Sequence, residues 1–443
     1  MIESLLQALQ IPELRKRITF VLGMFAIFVL GVHIPVPGVD HRVLADIIEK
    51  NGGLLGLFDV FSGGAFKRMS LFAMGITPYI NASIIMQMLT LAIPQLEIMS
   101  KEGEAGRKRI AKITRHLTIG IAFLQAIGIT MGFGLVQKFS MGTLPGLLQV
   151  WITMTAGTCF LLWMGEQITE KGIGNGVSLI IFASIMTSLP GQLSAVFKQV
   201  QAGTSPLAVI FLFAMFIGTI LATIYVTQGQ RKIPITNAKR MVGMRQTQGG
   251  SSFLPIKVNT AGVIPVIFAI SILMFPAQIA TAIPGQKDGP LGRFANALVP
   301  QLRLDDLSFN GPDILRFLTR LIPLFLYVLF IVIFTYFYTA VIMNVHDMAD
   351  NLKKYGNFIP GIRQGKPTFE YLDRVVSRIT LAGAVFLAGI ALVQYIAPAL
   401  TGVRAFTLVG GTSLLIVVGV AIETMQAIES QLLMRNYEGF IKQ

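Results

Sequence analysis

The stretch DVFSGGAFKRMSLFAMGITPYINASIIMQMLTLAIP, residues 59–94, changes character halfway along its length. It begins with a Ser-Gly-Gly run and a Lys-Arg pair, and it then continues without a charge from Leu71 to Pro94. About 20 apolar residues are enough for a helix to cross a hydrocarbon core about 30 Å thick. The stretch therefore predicts a membrane-spanning helix that is preceded by a short, glycine-broken and weakly apolar segment.

The composition of the whole chain also indicates a membrane protein. Of its 443 residues, 53% are hydrophobic and only 13% are charged, whereas soluble domains carry about 25% charged residues. Apolar runs long enough to span a bilayer recur along the chain, and we predict an all-α membrane protein with ten transmembrane helices. The predicted spans lie near residues 18–34, 75–93, 117–136, 145–165, 177–197, 206–227, 260–283, 321–345, 379–400 and 405–427.

The basic residues predict the orientation of these spans. With the N terminus inside, 24 of the 36 Lys and Arg residues fall on inner segments and 12 on outer ones. Inner loops of membrane proteins carry such an excess of Lys and Arg. Both termini are therefore predicted to be cytoplasmic, and the amphipathic segment before Arg15 is predicted to lie along the membrane surface.

Ten spans divide into five and five, and an odd number of spans makes the second half enter the membrane from the opposite side. If the halves share a fold, they are inverted repeats, an arrangement known from secondary transporters. We predict an N-terminal half at residues 1–195 and a C-terminal half at 196–443. The predicted seam is the external segment Pro190–Pro206.

The sequence offers no catalytic or metal-binding constellation. Cys159 is the single cysteine, and the four histidines are scattered without metal-ligand spacing. The glycine-rich run at residues 165–178 lacks the Gly-Lys-Ser/Thr ending of a phosphate loop, so we interpret it as a turn in which Asn175 or Ser178 caps the next helix. We therefore expect no enzymatic activity, no metal and no cofactor.

The functional alternatives that the residues leave open are a passive pore, a carrier of neutral solutes and a structural membrane scaffold. Ion-coupled transporters keep Asp, Glu, Lys or Arg inside their spans, and the predicted spans carry none in their interior, which favours a passive pore. Two long inner loops near residues 228–257 and 343–378 mix basic residues with Gly, Pro and aromatic residues. They predict a docking surface for an acidic or RNA-rich partner.

Seven motifs in order along nearly the whole chain resemble the SecY family, the channel-forming subunits of the bacterial protein translocase. They are IPVPGVD, FSGGAFKRMSLFAMGITPYINASII, EGEAGRKRI, WMGEQITEKGIGNGVSLIIFA, LPIKVNTAGVIPVIFA, ADNLKKYGNFIPGIRQGKPT and GGTSLLIVVGV. The resemblance implies a channel that translocates unfolded polypeptides and releases apolar helices laterally into the bilayer. It also implies a bacterial cytoplasmic membrane location, SecE and SecG as partner subunits, and the SecA motor ATPase, the ribosome, signal peptides and nascent membrane proteins as further partners.

The same resemblance implies a pore closed by a ring of apolar side chains and by a short plug helix. The ring carries over to Ile76, Ile80, Ile181, Ile267 and Ile416. The plug carries over to Phe61, Ser62, Gly63, Gly64, Ala65, Phe66, Lys67, Arg68, Met69, Ser70, Leu71 and Phe72. A narrow apolar collar dewets and seals, and we expect the mixed composition of the plug to let it be stable both in the pore mouth and in water.

A lateral gate and a docking site complete the expectations from the resemblance. The gate is expected between the second and seventh spans. Its candidate residues are Asn81 facing Phe275, and Gln87 in polar contact with Asn259. Docking of SecA and the ribosome is expected at Lys239, Arg240, Arg245 and Arg363. Gln364 stands where the family usually has Pro, which puts the stiffness of this loop in question.

Overall fold

The computed structural model describes residues 2–37, 39, 59–132, 144–201, 205–237, 241–242, 245–246, 251–282, 313–401 and 411–441, with isolated positions between 289 and 298. Its helices are α1 (Ile2–Gln10), α2 (Pro12–His33), α3 (Thr77–Ala92), α4 (Pro94–Lys101), α5 (Glu104–Gly132), α6 (Leu144–Lys171), α7 (Gly176–Gln201), α8 (Pro206–Gln228), α9 (Ile264–Ala282), α10 (Asp313–Ile342), α11 (Val345–Lys354), α12 (Lys366–Thr401) and α13 (Thr412–Ile441). Its strands are β1 (Gln230–Asn237), β2 (Met241–Val242), β3 (Arg245–Gln246), β4 (Ser251–Lys257) and β5 (Asn357–Phe358). The predicted helical membrane fold is confirmed.

Each of the ten predicted spans coincides with a helix in this part of the chain. Eight helices are long and apolar enough to cross a membrane, and the bent pair of α3 and α4 makes a ninth. The remaining predicted span coincides with α9, whose described apolar stretch is the shorter Ile264–Leu273. The count of ten spans is thus consistent with the structure.

A sharp bend separates α3 from α4. The two helices meet at 101°, and Ile93 between them has an extended backbone with φ −108° and ψ 113°. Pro94 has no N–H to donate to the preceding turn, and its ring disfavours a helical backbone at the residue before it. The chain therefore turns away from the axis of α3 where the predicted span ends.

The predicted external connection at residues 190–206 is largely helical. The helix α7 continues through Pro190 to Gln201, and α8 begins at Pro206 with Ser205 as its N-cap. The proposed boundary at residue 195 therefore lies inside α7. The division into two inverted halves stays a prediction.

A small β-sheet interrupts the helical fold, and the sequence analysis did not anticipate it. The strand β1 pairs antiparallel with β4 from Gln230 to Thr236 and with β5 at Thr236 and Asn237. Ile233 and Ile256 from this sheet are buried against Ala349 of α11 and Leu372 of α12. The two long inner loops, which were predicted to make a docking surface, are therefore joined in one packed unit.

The amphipathic helix α1 packs against the bundle. It contacts α2 and the last helix, α13, and its Ala8 is buried in a cluster with Leu14, Ile428 and Leu432. Leu6 and Leu9 stay exposed on the opposite side. Its predicted position along a membrane surface stays a prediction, with these two leucines on the face left open.

The long helices form two adjoining apolar cores. Within the predicted first half, α2 packs against α6 and α7, and α5 lies along α3 and α6. The predicted halves are joined by contacts of α5 with α9 and of α7 with α13. One core surrounds Phe28, Met164 and Ile180, and the other surrounds Tyr327 and Leu387. The candidate site lies in the first of these cores.

Candidate functional site

The five isoleucines of the predicted ring meet in a single apolar cluster. Ile76 precedes α3, Ile80 lies in its first turn, and Ile181, Ile267 and Ile416 come from α7, α9 and α13. All five belong to one cluster, in which Ile80 is half-buried and the other four are buried. Four helices from both predicted halves therefore converge on these side chains.

Local chain geometry explains how the ring residues are presented. The N–H of Ile80 donates to the carbonyl of Ile76 (3.1 Å), so the two side chains stand one turn apart on the same face. At the start of α7, Asn175 Oδ1 accepts from the N–H of Val177 (3.0 Å) and of Ser178 (3.4 Å). Asn175 is thus the N-cap of the helix that carries Ile181, which confirms the interpretation of the glycine-rich run as a turn.

The predicted plug helix is wrong as a description of residues 61–72. Only residues 59–61 are helical, and the chain then makes consecutive turns up to residue 69. Gly63 and Gly64 have φ values of 74° and 81°, which a continuing right-handed helix does not allow. The segment is a compact series of turns, and its two glycines end the helix.

Hydrogen bonds to Asp59 hold these turns together. Its side-chain Oδ1 accepts from the N–H of Lys67 (2.7 Å), and its carbonyl accepts from the N–H of Gly64 (2.8 Å) and from Ser62 Oγ (3.0 Å). Burial raises the pKa of the Asp59 carboxyl, while the Lys67 N–H and the charges of Lys67 and Arg68 oppose the rise. The carboxyl is therefore held in the segment at an electrostatic cost.

The end of the segment sits in a cradle formed by α2 and α6. The ring of Phe72 stacks between Phe28 and Phe160, with centroid separations of 5.8 and 6.0 Å. The missing side chain of Gly31 leaves the space that the Phe72 ring occupies, and a Cβ on Gly157 would meet the carbonyl oxygen of Leu71. These two glycines allow the segment to approach both helices closely.

The segment faces two different apolar clusters. Its Ala65 and Phe72 belong to the cluster of the five isoleucines. Phe66 and Met69 are instead buried in a cluster with Met154 and other residues of α5 and α6. Residues 61–72 thus fill the space between the ring and the α5–α6 side of the bundle.

The expected gate contact between Gln87 and Asn259 is not formed. Gln87 donates instead from Nε2 to Ser83 Oγ (3.2 Å) one turn back on α3, where a partner is available without any movement of helices. Gln87 Oε1, Asn259 Oδ1 and Asn81 Nδ2 are buried without a hydrogen-bond partner. The backbone of Phe275 lies in α9, and its side chain is outside the described residues.

The structure adds a helix to this seam. Ile84 of α3 belongs to the same apolar cluster as Phe268 and Ile270 of α9. In addition, α5 lies directly along α9. The gate was expected between the second and seventh spans, and the contact of α9 with α5 was not predicted.

The expected docking residues are only partly described. Lys239 and Arg240 lie outside the described residues, and Arg245 is placed by its backbone in β3. Arg363 is exposed in the loop between β5 and α12. Its carbonyl accepts from Thr368 Oγ1 (2.8 Å), and Gln364 Nε2 donates to the Asn357 carbonyl (3.2 Å). The Gln364 side chain therefore braces the loop by a hydrogen bond.

The residues of the cradle are those that sequence reasoning missed. Gly31 and Gly157 are isolated glycines in apolar spans, and Phe28 stands one turn before Gly31. Such glycines in membrane helices often mark close approach of another backbone. That signal was present, but it does not say which segment approaches.

In the part of the chain that the structure describes, no group of His, Cys, Asp and Glu could hold a metal ion.

These features define a multi-spanning helical membrane protein in which an apolar cluster with five isoleucines is packed against a turn-rich segment. The SecY family profile matches residues 70–425. The protein translocase subunit SecY of Streptomyces coelicolor is 42% identical over 463 aligned positions that cover 100% of both chains. The chain belongs to the SecY family.

Solved structures with a similar fold cover 94% of this chain and 92% of their own chains. One is a protein-conducting channel, with a TM-score of 0.65 and 20% identity. A second is a SecY protein whose plug domain stabilises the closed state of the translocation channel, with a TM-score of 0.61 and 21% identity. A third is Sec61 in the canine ribosome–channel complex, with a TM-score of 0.62 and 18% identity.

Proposed function

We propose that this chain is the protein-conducting channel subunit of a translocase, through which unfolded polypeptides cross the membrane. The observation that carries the proposal is the convergence of Ile76, Ile80, Ile181, Ile267 and Ile416 in one buried cluster. The identity of 42% to a curated translocase subunit over the full length supports it. The polypeptide passes at this constriction, which is the pore ring.

The chemistry of the ring suits a seal that yields to a chain. Five β-branched apolar side chains offer no polar atom to hold water or ions, so a narrow ring stays dry. The same absence means that the ring binds no passing side chain strongly. The chain itself performs no hydrolysis, and the driving energy comes from a partner or from the membrane potential.

Residues 61–72 form the plug in this proposal. The segment packs Ala65 and Phe72 against the ring cluster, while Arg68 remains exposed and Lys67 is half-buried. A wholly apolar segment would not leave this seat, and a wholly polar one would not occupy it. The hydrogen bonds to Asp59 are local to this part of the chain, so the segment can keep them when it moves.

The lateral gate lies between α9 on one side and α3 with α5 on the other. Support comes from the contact of α5 with α9 and from the buried amides of Asn81, Gln87 and Asn259. Unpartnered polar atoms make a closed seam less stable than a fully apolar one. Apolar helices of nascent membrane proteins leave through this seam into lipid.

The inner loops receive the partners. Arg363 lies in a braced and exposed loop beside the small sheet, which suits contact with an acidic surface or with RNA. We assign this surface to SecA and to the ribosome, a partner that the similar Sec61 channel has in its complex. SecE and SecG are the expected companion subunits, in the cytoplasmic membrane of a bacterium with both termini inside.

The test is the conductance of the resting channel with its partner subunits in planar bilayers. Combined Ile80→Gly and Ile416→Gly changes, or deletion of residues 61–72, should raise the ion conductance well above that of the unaltered channel, because a wider and less apolar ring wets more readily. Ile210→Gly is the matched control, since Ile210 lies exposed on α8 away from the ring. Background conductance in both ring and plug variants would refute the pore assignment.

A carrier of neutral solutes is the competing function that uncharged spans favour. The same reconstituted protein distinguishes the two. A channel moves a preprotein when the motor and ATP are supplied and shows no stoichiometric coupling of a small solute to an ion. Solute uptake coupled to an ion, without protein transport, would establish the carrier.

A further inference from the structure

Met69 has an unusual backbone conformation. Its φ is 44°, and it is the sole non-glycine residue with a positive φ in the part of the chain that the structure describes. An L side chain in the left-handed region crowds the following carbonyl, which is why glycine normally occupies such positions. The same segment places glycine at its other positive-φ positions, Gly63 and Gly64, and Gly75 just after it is a third such glycine. Met69 is therefore strained where its neighbours are not.

Contacts on both sides hold Met69 in this conformation. Its carbonyl accepts from the N–H of Val36 (2.9 Å), and its own N–H donates to the carbonyl of Phe66 (3.0 Å). The next bond of the same short ladder runs from the N–H of Leu71 to the carbonyl of Ile34 (2.9 Å). The Met69 side chain is fully buried. A strained backbone persists only where such surroundings over-determine it.

Met69 also stands where the segment changes direction. The residues before it are folded on themselves by the hydrogen bonds to Asp59. The residues after it, Leu71 and Phe72, enter the cradle of Gly31 and Gly157. Met69, a single residue with a left-handed backbone, thus joins the compact turns before it to the part that is inserted between α2 and α6.

We propose that Met69 positions the seated plug and that its strained backbone favours release of the plug. This inference rests on the proposed function of residues 61–72. When the plug leaves, the hydrogen bonds to residues 34–36 break and φ returns to the ordinary region. The seated state alone therefore carries the strain, and the channel opens more readily than it would with glycine at this position.

The experiment compares Met69→Ala with Met69→Gly. Both variants lose the buried side chain, so both should leak ions in planar bilayers at rest. Alanine has a Cβ and keeps the strain of the left-handed backbone, whereas glycine has no Cβ and removes it. The Met69→Gly channel should therefore show about fivefold lower resting conductance than the Met69→Ala channel, because relief of the strain exceeds the extra freedom that glycine gains in the displaced state.

Ala65→Gly is the matched control. Ala65 is also fully buried in the plug, and it does not have a positive φ. An alanine-to-glycine change there relieves no strain and only adds backbone freedom, which favours the displaced plug. The change should therefore raise the resting conductance. Normal motor-driven transport of a preprotein by each variant shows that it is folded.

The outcomes separate the two proposals. Lower conductance of Met69→Gly than of Met69→Ala, with the opposite order at position 65, supports a strained positioning residue. Equal leakage of the two Met69 variants, or greater leakage of the glycine variant, overturns this inference and leaves the plug assignment intact. Background conductance in every variant overturns the plug assignment itself and the inference with it.

Discussion

The isoleucine ring and the lateral seam are both buried, yet different chemistry closes them. At the ring, five apolar side chains meet and no polar atom needs a partner. At the seam, Asn81, Gln87 and Asn259 each bury a side-chain atom without a hydrogen bond. An unsatisfied buried polar atom costs about 1–3 kcal/mol, whereas an apolar contact carries no such penalty. In the proposed channel, the ring therefore closes by default, and the seam opens at a modest cost.

The proposed plug, residues 61–72, combines features of the proposed ring and of the proposed seam. It has apolar contacts through Phe72 as the ring does, but it is also bonded to the half-buried Asp59 carboxyl, whose burial, like that of the seam amides, carries a cost. The plug is thus held by close packing and opposed by polar burial and backbone strain. Changes to the packing should have large effects, and changes to the polar groups smaller ones.

The largest effect is expected from Gly157→Ala. A Cβ at this position meets the carbonyl oxygen of Leu71, so the end of the plug must shift out of its cradle. Overpacking of this kind costs about 1–3 kcal/mol, which corresponds to roughly five- to more than a hundredfold higher resting conductance in planar bilayers. Gly218→Ala is the control, because a Cβ on Gly218 of α8 meets no atom. Equal conductance of the two variants would contradict the cradle.

The cradle also shows where sequence reasoning ended. The five isoleucines were found through the resemblance, and the structure places them together. Gly157 lies 85 residues after Phe72 in the chain, and neither periodicity nor composition connects positions so far apart. The fold class followed from apolar runs, which are local and long, and for that reason the spans agreed with the helices.

Local preferences that compete explain the other errors. The composition of residues 61–72 is compatible with a helix, but positive φ at Gly63 and Gly64 ends the helix to which residues 59–61 belong. The β1–β4 pairing was missed because its strands contain Pro234 and Pro255, which usually argue against strands. The contact of Gln87 with Asn259 was expected from the resemblance, and the nearer Ser83 competes for the same amide.

An intermediate effect is expected from making the seam apolar like the ring. Gln87→Leu with Asn259→Leu removes two buried unpartnered oxygens but also the Gln87–Ser83 hydrogen bond, so the closed seam should be stabilised by about 1–2 kcal/mol in total. Integration of a single-span protein into vesicles should therefore slow at least about fivefold, while resting conductance stays at background. The comparison between ring and seam would fail if integration were unchanged.

Gln192→Leu provides the control for the seam variants. Gln192 of α7 makes the same kind of bond as Gln87, from Nε2 to the hydroxyl of Ser188 one turn back (3.0 Å). It does not belong to the unpartnered groups. The change should lower thermal stability slightly and leave integration unaffected, because it removes a satisfied bond away from the seam.

The smallest effect is expected from the charge of Asp59. Burial raises the pKa of this carboxyl above its ordinary value of 3.8, against the opposing Lys67 N–H and the charges of Lys67 and Arg68. The seated plug therefore favours the protonated form more than the displaced plug does. The seated state of the plug is most stable at a pH below the ordinary pKa of 3.8, and it becomes less stable as the pH rises through the raised pKa. In an Ile80→Gly background, which brings leakage into a measurable range, conductance should be lower in acid than at neutral pH.

Asp59→Asn keeps an acceptor for the Lys67 N–H and cannot ionise, so its conductance should stay low and flat across the same pH range. A pH dependence that survives in Asp59→Asn would show that another group titrates, and the plug would then be opposed by backbone strain without a contribution from this carboxylate.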